Sequence, residues 1–207
     1  MKLVIAKEPA GGILTWAQRA FFACAILLLG YSGFVLVDTW AFQRRESMDL
    51  DRLLRDHSAA SQRAPAAMDG LVGRIEIPRL GLSAIVVEGM GRTTLRRGVG
   101  HIPGTALPGE AGNVGLSGHR DTFFRPLKDL KIKDEIQLAT LKGNFSYRVE
   151  SLRVVAPNDV GVLAPSHDNV LTLVTCYPFF YIGNAPKRFV VRARQVSPQT
   201  LARSGVK

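Results

Sequence analysis

Residues 169–196 read NVLTLVTCYPFFYIGNAPKRFVVRARQV, and the fold follows from how this stretch divides. The runs at 169–176 and 188–196 are rich in β-branched residues, and the connection between them carries Pro178, Gly183, Asn184 and Pro186. That pattern predicts two strands joined by a loop. If the strands pair antiparallel across the loop, the end of the first lies opposite the start of the second, so Cys176 and Arg188 become neighbours at one rim of a sheet. Working outward, VGRIEI, SAIVVEG, NVGLSGH, DEIQLAT and FSYRVESLRVVA have the same character and are separated by Pro, Gly, Asn and Asp. Helical signals are confined to residues 93–97 and 159–163, the latter with Asn158 or Asp159 as the expected cap. Seven or more short strands over roughly 125 residues predict an all-β barrel or sandwich, closed on itself.

The rest of the chain is organised differently. With 207 residues, 46% hydrophobic and 21% charged, it is long and apolar enough for one domain and an accessory segment, and is not a disordered polymer. Two cysteines exclude a disulfide-dense scaffold. Residues 20–37, AFFACAILLLGYSGFVLV, contain no charge. With Trp16 and Trp40 as flanking interfacial aromatics, the stretch approaches the roughly 20 residues that cross a bilayer core. A cleaved signal peptide would have a shorter apolar core and a small-x-small site after it, whereas Asp38-Thr39-Trp40-Ala41-Phe42 follows here. A buried core helix of a soluble protein is disfavoured by the uncharged length. The expectation is an uncleaved anchor, with residues 1–40 as tail and membrane helix. Lys2, Lys7 and Arg19 before it nearly balance Arg44, Arg45, Arg52 and Arg55 after it, so charge alone leaves the orientation open. Residues 41–70 read as a stalk and linker: Leu50, Leu53 and Leu54 suggest a short amphipathic helix, His57 a solvated position, and SAASQRAPAA a flexible connection. The folded domain is expected at 71–207.

That domain holds 19 basic and 10 acidic residues, nearly all of the net charge of +10. A basic domain beside a membrane suits anionic lipid or cell-wall polymer. Nucleic acid is set aside as a partner, because the bases are scattered and no nucleic-acid motif is present. Cys176 is the only cysteine in the domain, so no disulfide forms within it. A lone cysteine reads either as a small packed hydrophobe or as a nucleophile that needs a base or cation to favour its thiolate. Both kinds of partner exist: NVGLSGH ends in His119, and Arg188 opens the last strand, able to donate two hydrogen bonds to a carbonyl or oxyanion.

TLVTCYPF, GHRDTFFRPL upstream and Arg188 downstream together resemble the sortase family of membrane-anchored cysteine transpeptidases, most closely its class D type. The likeness runs through GHIPGTALPGE, GNVGLSGHRDTFFRPL and TLVTCYPFFYIGNAPKRFVV, over roughly residues 71–196. It implies a closed eight-stranded β-barrel with short helices after one transmembrane helix. It also implies a cytoplasmic N-terminus and a catalytic domain on the extracytoplasmic side. By that likeness Cys176, His119 and Arg188 are catalytic, with Thr175 beside them as a substrate-binding residue. Cys176 attacks the threonine carbonyl of an LPxTG-like sorting signal, a thioacyl enzyme forms, and an amine on the cell wall or another protein accepts the acyl group. No cofactor or metal is implied. A zinc site from His101, His119 and Cys176 lacks close ligand spacing, and His101 reads as a packing or turn residue. Asp121 reads as an orienter of His119 or a turn cap, and His167 as loop. Two other readings stand beside the transpeptidase: a tethered protease that resolves the thioester with water, and a non-catalytic assembly module with an inert Cys176.

Overall fold

The computed structural model describes residues 10–56 and 70–196. The chain divides into two compact units, one ending at Ala41 and the other starting at Phe42. His57 and the SAASQRAPAA linker lie outside the described residues.

The first unit carries most of helix α1 (Ala10–Asp56). Phe21, Ile26, Leu27, Leu28, Leu29, Phe34 and Leu36 are all exposed on it. A helix whose apolar side chains find no protein to cover them is long and apolar enough to cross a membrane. Ser32 returns its hydroxyl to the Leu28 carbonyl at 2.8 Å, satisfying its own polar group inside an apolar stretch.

The second unit is an eight-stranded closed barrel. In chain order it contains β1 (Leu71–Ile77), β2 (Leu82–Glu88), a short helix α2 (Arg92–Arg97), β3 (Val99–His101), β4 (Asn113–Ser117), β5 (Glu135–Thr140), β6 (Gly143–Val155), β7 (Val170–Tyr177) and β8 (Lys187–Val196). Around the barrel the order is β1-β2-β3-β4-β7-β8-β6-β5, closed by the β1–β5 pair. Closure removes the unpaired edges that an open sheet of this length would expose. Two pairings are parallel, β2–β3 and β4–β7. The interior is filled by Ile75, Ile77, Val114, Leu116, Ile136, Leu138, Tyr147, Leu171, Leu173 and Val191, all essentially buried.

Three particulars depart from expectation. β3 is only three residues long and carries too little pattern to be read as a strand. At Gly100 an added Cβ would lie 2.3 Å from the Gly89 carbonyl oxygen, so the close strand approach requires glycine. Short 3-10 turns at Pro78–Leu80 and Arg125–Asp129 add to the expected one, seen at Val160–Leu163. The last has Asp159 at its N-cap position but no side-chain cap hydrogen bond, so neither candidate cap acts as one. His101 is buried in β3, with Nδ1 2.7 Å from a Glu88 carboxylate oxygen and Nε2 3.0 Å from the Ala106 carbonyl, a packing role as expected.

The continuous apolar reading of NVLTLV has a structural cause. Residues 170–173 are all buried, because the connection preceding β7 covers the outer face of the β4–β7 pair. Asn113 donates to the carbonyls of Val162 and Ala164 at 3.2 Å each, and accepts from the Thr172 hydroxyl at 2.7 Å. Strands covered on both faces lose their alternation.

The final turns of α1, from Phe42, belong to this unit. Gln43 accepts from the Ile85 amide at 2.9 Å and donates to the Arg97 carbonyl at 2.6 Å. Asp51 accepts from Arg74 at 2.9 Å, and Leu50 is fully buried. Burial of one leucine contributes about 1.5–3 kcal/mol.

Candidate active site

β7 and β8 pair antiparallel in the register that sets Cys176 opposite Arg188. His119 reaches them from another direction. It stands two residues beyond β4, and β4 lies parallel to β7 with Asn113 opposite Val170. Two bonds continue that pairing past the end of β4: the Gly118 amide donates to the Val174 carbonyl at 3.2 Å, and the Thr175 hydroxyl donates to the Gly118 carbonyl at 2.7 Å. A Cβ on Gly118 would lie 2.8–3.0 Å from the ring of Phe124, which is fully buried and has no room to retreat. The glycine therefore admits the close packing that brings His119 up to β7. The His119 carbonyl then accepts from the Phe124 amide at 3.0 Å, turning the chain into the 3-10 turn that follows.

His119, Cys176 and Arg188 line one cavity, together with Arg120, Asp121 and residues 183–185. Cys176 is half-buried and His119 exposed, so the thiol sits in a wall and the imidazole at the mouth. Arg188 donates through Nη1 to the Ala185 and Lys187 carbonyls at 3.2 and 3.0 Å. Its Nη2 and Nε have no partner among the described residues and remain as donors for a ligand. Two guanidiniums, Arg120 and Arg188, and one carboxylate, Asp121, border the cavity, so its lining carries a net positive charge suited to an anionic oxygen.

Thr175 is 2% exposed, with its hydroxyl committed to Gly118, and is not among the residues lining this cavity. Asp121 lines the cavity without a side-chain hydrogen bond to His119 among the described residues. His101 is held on Glu88 and Ala106, away from the cavity, and His167 is an exposed loop residue. Cys24 is exposed on α1 in the other unit. Arg120 and Gly118 escaped the reading of the sequence as site residues. Their signal was present in the GHR triplet, but their roles depend on contacts with β7 and the β7–β8 loop.

A sortase-domain family model matches residues 75–196, spanning all eight strands but the first residues of β1. The chain belongs to the sortase family. Sortases are cysteine transpeptidases of cell-wall protein sorting, and the closed barrel is typical of their fold; in this sortase an apolar helix precedes it. It is 31% identical to Sortase D of Bacillus subtilis over 188 residues, covering 84% of this chain and 95% of that relative. The solved structure of a Clostridium perfringens sortase D5 transpeptidase is similar with a TM-score of 0.60 and 25% identity, over 76% of this chain and 97% of that one. Sortase C1 of Streptococcus agalactiae gives a TM-score of 0.59 and 31% identity, over 66% of this chain and 72% of that one.

Proposed function

We propose that this sortase cleaves an LPxTG-like sorting signal after its threonine and transfers the acyl group to an amine, with Cys176, His119 and Arg188 as the catalytic residues. The observation that carries the reading is the convergence of a half-buried thiol, an imidazole and a guanidinium with free donors on one cavity, from three strand ends.

The Cys176 thiolate attacks the threonine carbonyl carbon, and the carbonyl π pair moves onto oxygen. Arg188 N–H groups hold that oxyanion. As the oxyanion collapses, the C–N bond breaks and protonated His119 gives its proton to the departing amine. A thioacyl enzyme remains. The incoming amine adds to the thioester carbonyl and surrenders a proton to His119; the C–S bond then breaks and the thiolate returns. Thr175, expected beside the sorting signal, serves the site by fixing Gly118 and hence His119.

In this reading residues 20–37 span the cell membrane, the N-terminus is cytoplasmic, and the barrel works outside. Its partners are proteins bearing the sorting signal and an amine on the wall or on another protein. The test is mass spectrometry of the full chain mixed with an LPxTG-containing peptide. Wild type and Cys24→Ala should both show the peptidyl adduct, and Cys176→Ala should not. Full transpeptidation by Cys176→Ala sinks the assignment. Addition of an amine should divert the product from acid to amide; acid at every amine concentration marks a protease instead.

A further inference from the structure

We propose that Arg120 is a positioning residue of this site: its guanidinium clasps the Tyr181 and Gly183 carbonyls and thereby holds the His119 turn against the β7–β8 loop. The inference rests on the reading of Cys176 and His119 as a catalytic pair.

The β7–β8 loop has little of its own to hold it. Among the described residues no backbone-to-backbone hydrogen bond ties residues 179–185 to the rest of the barrel. Phe180 and Ile182 are 72% and 100% exposed. Its root is packed by Tyr177, Phe179 and Phe189, with ring centroids 5.3–6.4 Å apart. Beyond that root, side chains of other segments do the holding. Arg120 Nη2 donates to the Tyr181 carbonyl at 2.6 Å and to the Gly183 carbonyl at 3.3 Å. Its guanidinium carbon also lies 5.8 Å from the Tyr181 ring centroid. Arg125 sits 5.6 Å from the Phe180 ring, and Arg188 takes the Ala185 carbonyl.

The consequence falls on His119, whose side chain has no hydrogen bond among the described residues. Its place is set by its neighbours in the chain. On one side Gly118 is bonded to Val174 and Thr175, just before Cys176; on the other Arg120 is bonded to Tyr181 and Gly183, just after it. His119 is thus suspended between two attachments that bracket the nucleophile. Arg120 Nη1 is buried without a partner, an unfavourable arrangement that persists because Nη2 and the Tyr181 ring hold the guanidinium there. Lysine would keep the charge and reach a carbonyl, but would lose the planar face over the ring.

The experiment uses the full chain carrying Cys24→Ala, in detergent, with Arg120→Ala, Arg120→Lys and His119→Ala introduced separately. Three quantities are measured: the rate of Cys176 alkylation by iodoacetamide against pH, single-turnover acylation by an LPxTG-containing peptide, and thermal unfolding. Arg120→Ala should move the alkylation profile toward that of His119→Ala. It should also slow acylation about 10- to 100-fold at nearly unchanged KM, the scale of an ångström's misplacement, while melting close to wild type. Arg120→Lys should recover part of the rate. An alkylation profile identical to wild type in both Arg120 variants overturns the proposal. So does a loss of rate that follows the loss of folded protein alone. Transpeptidation by Cys176→Ala would fail the underlying reading instead, and the alkylation profile reports on Arg120 without any peptide.

Discussion

At Arg188 the contributions of geometry and of charge can be separated. Its side chain already spends Nη1 on the Ala185 and Lys187 carbonyls, which fixes the plane in which the remaining N–H groups point. A lysine at this position keeps one positive charge but replaces a planar fork with a mobile ammonium. If Arg188 acted through charge alone, Arg188→Lys would acylate at nearly the wild-type rate. We expect a loss of about 10²–10³ in turnover, the cost of a missing oxyanion donor, for Arg188→Lys and Arg188→Ala alike. Single-turnover acylation of both variants, beside a titration of the thiol in each, distinguishes the two roles. Gly118 makes the complementary point: there the absence of a side chain decides where a neighbouring one stands.

At the scale of elements, the segment between His119 and β5 is held by an ion pair. Arg79, in the 3-10 turn after β1, donates through Nε to Asp134 at 2.6 Å and through Nη2 to the Asp129 carbonyl at 2.6 Å. It thereby joins two 3-10 turns to the start of β5. The hydrogen bond from Arg79, and then that from the Lys131 amide, outweighs burial and holds the Asp134 carboxyl below the usual aspartate value. A depressed carboxylate stabilises the folded chain fully above its unfolded value of about 4, and that contribution is lost as pH falls through the lower folded value. Wild type should therefore exceed Asp134→Asn in urea midpoint at pH 7, with the gap closing below about pH 4. A gap of the same size at pH 3 and pH 7 would show that Asp134 acts through packing.

For the molecule as a whole, the question is where the catalytic unit starts. Composition suggests residue 71, and a fragment from there would keep every strand. It would lose the Gln43 bonds to Ile85 and Arg97, the Asp51–Arg74 pair and the burial of Leu50. Leucine burial and two hydrogen bonds are together worth several kcal/mol before the ordering of the helix is subtracted. A fragment of residues 42–207 should thus melt about 5–15 °C above one of residues 71–207, both with strand-dominated far-ultraviolet spectra. Equal melting temperatures would make the end of α1 a passive stalk.

The sequence by itself determined what depends on neighbours along the chain. An uncharged run longer than a core helix needs makes an apolar span, whatever the rest of the protein does. Alternating or continuous β-branched runs broken by Pro and Gly make strands. If the last two pair antiparallel across their loop, Cys176 and Arg188 become neighbours, and that much was legible; the structure has them in that register. What tertiary structure alone decided is everything that depends on closure. Nothing local announces that β4 lies parallel to β7, yet that pairing delivers His119 to Cys176. The three residues of β3 carry no periodicity, and Thr175, which reads as a substrate contact, turns inward to bond Gly118. Gln43 and Leu50 read as stalk because amphipathic spacing does not name the surface a helix will meet. Local patterns record which way side chains face; partners distant in sequence are chosen by the closing of the barrel, which buries the most apolar surface and leaves the fewest unpaired strands.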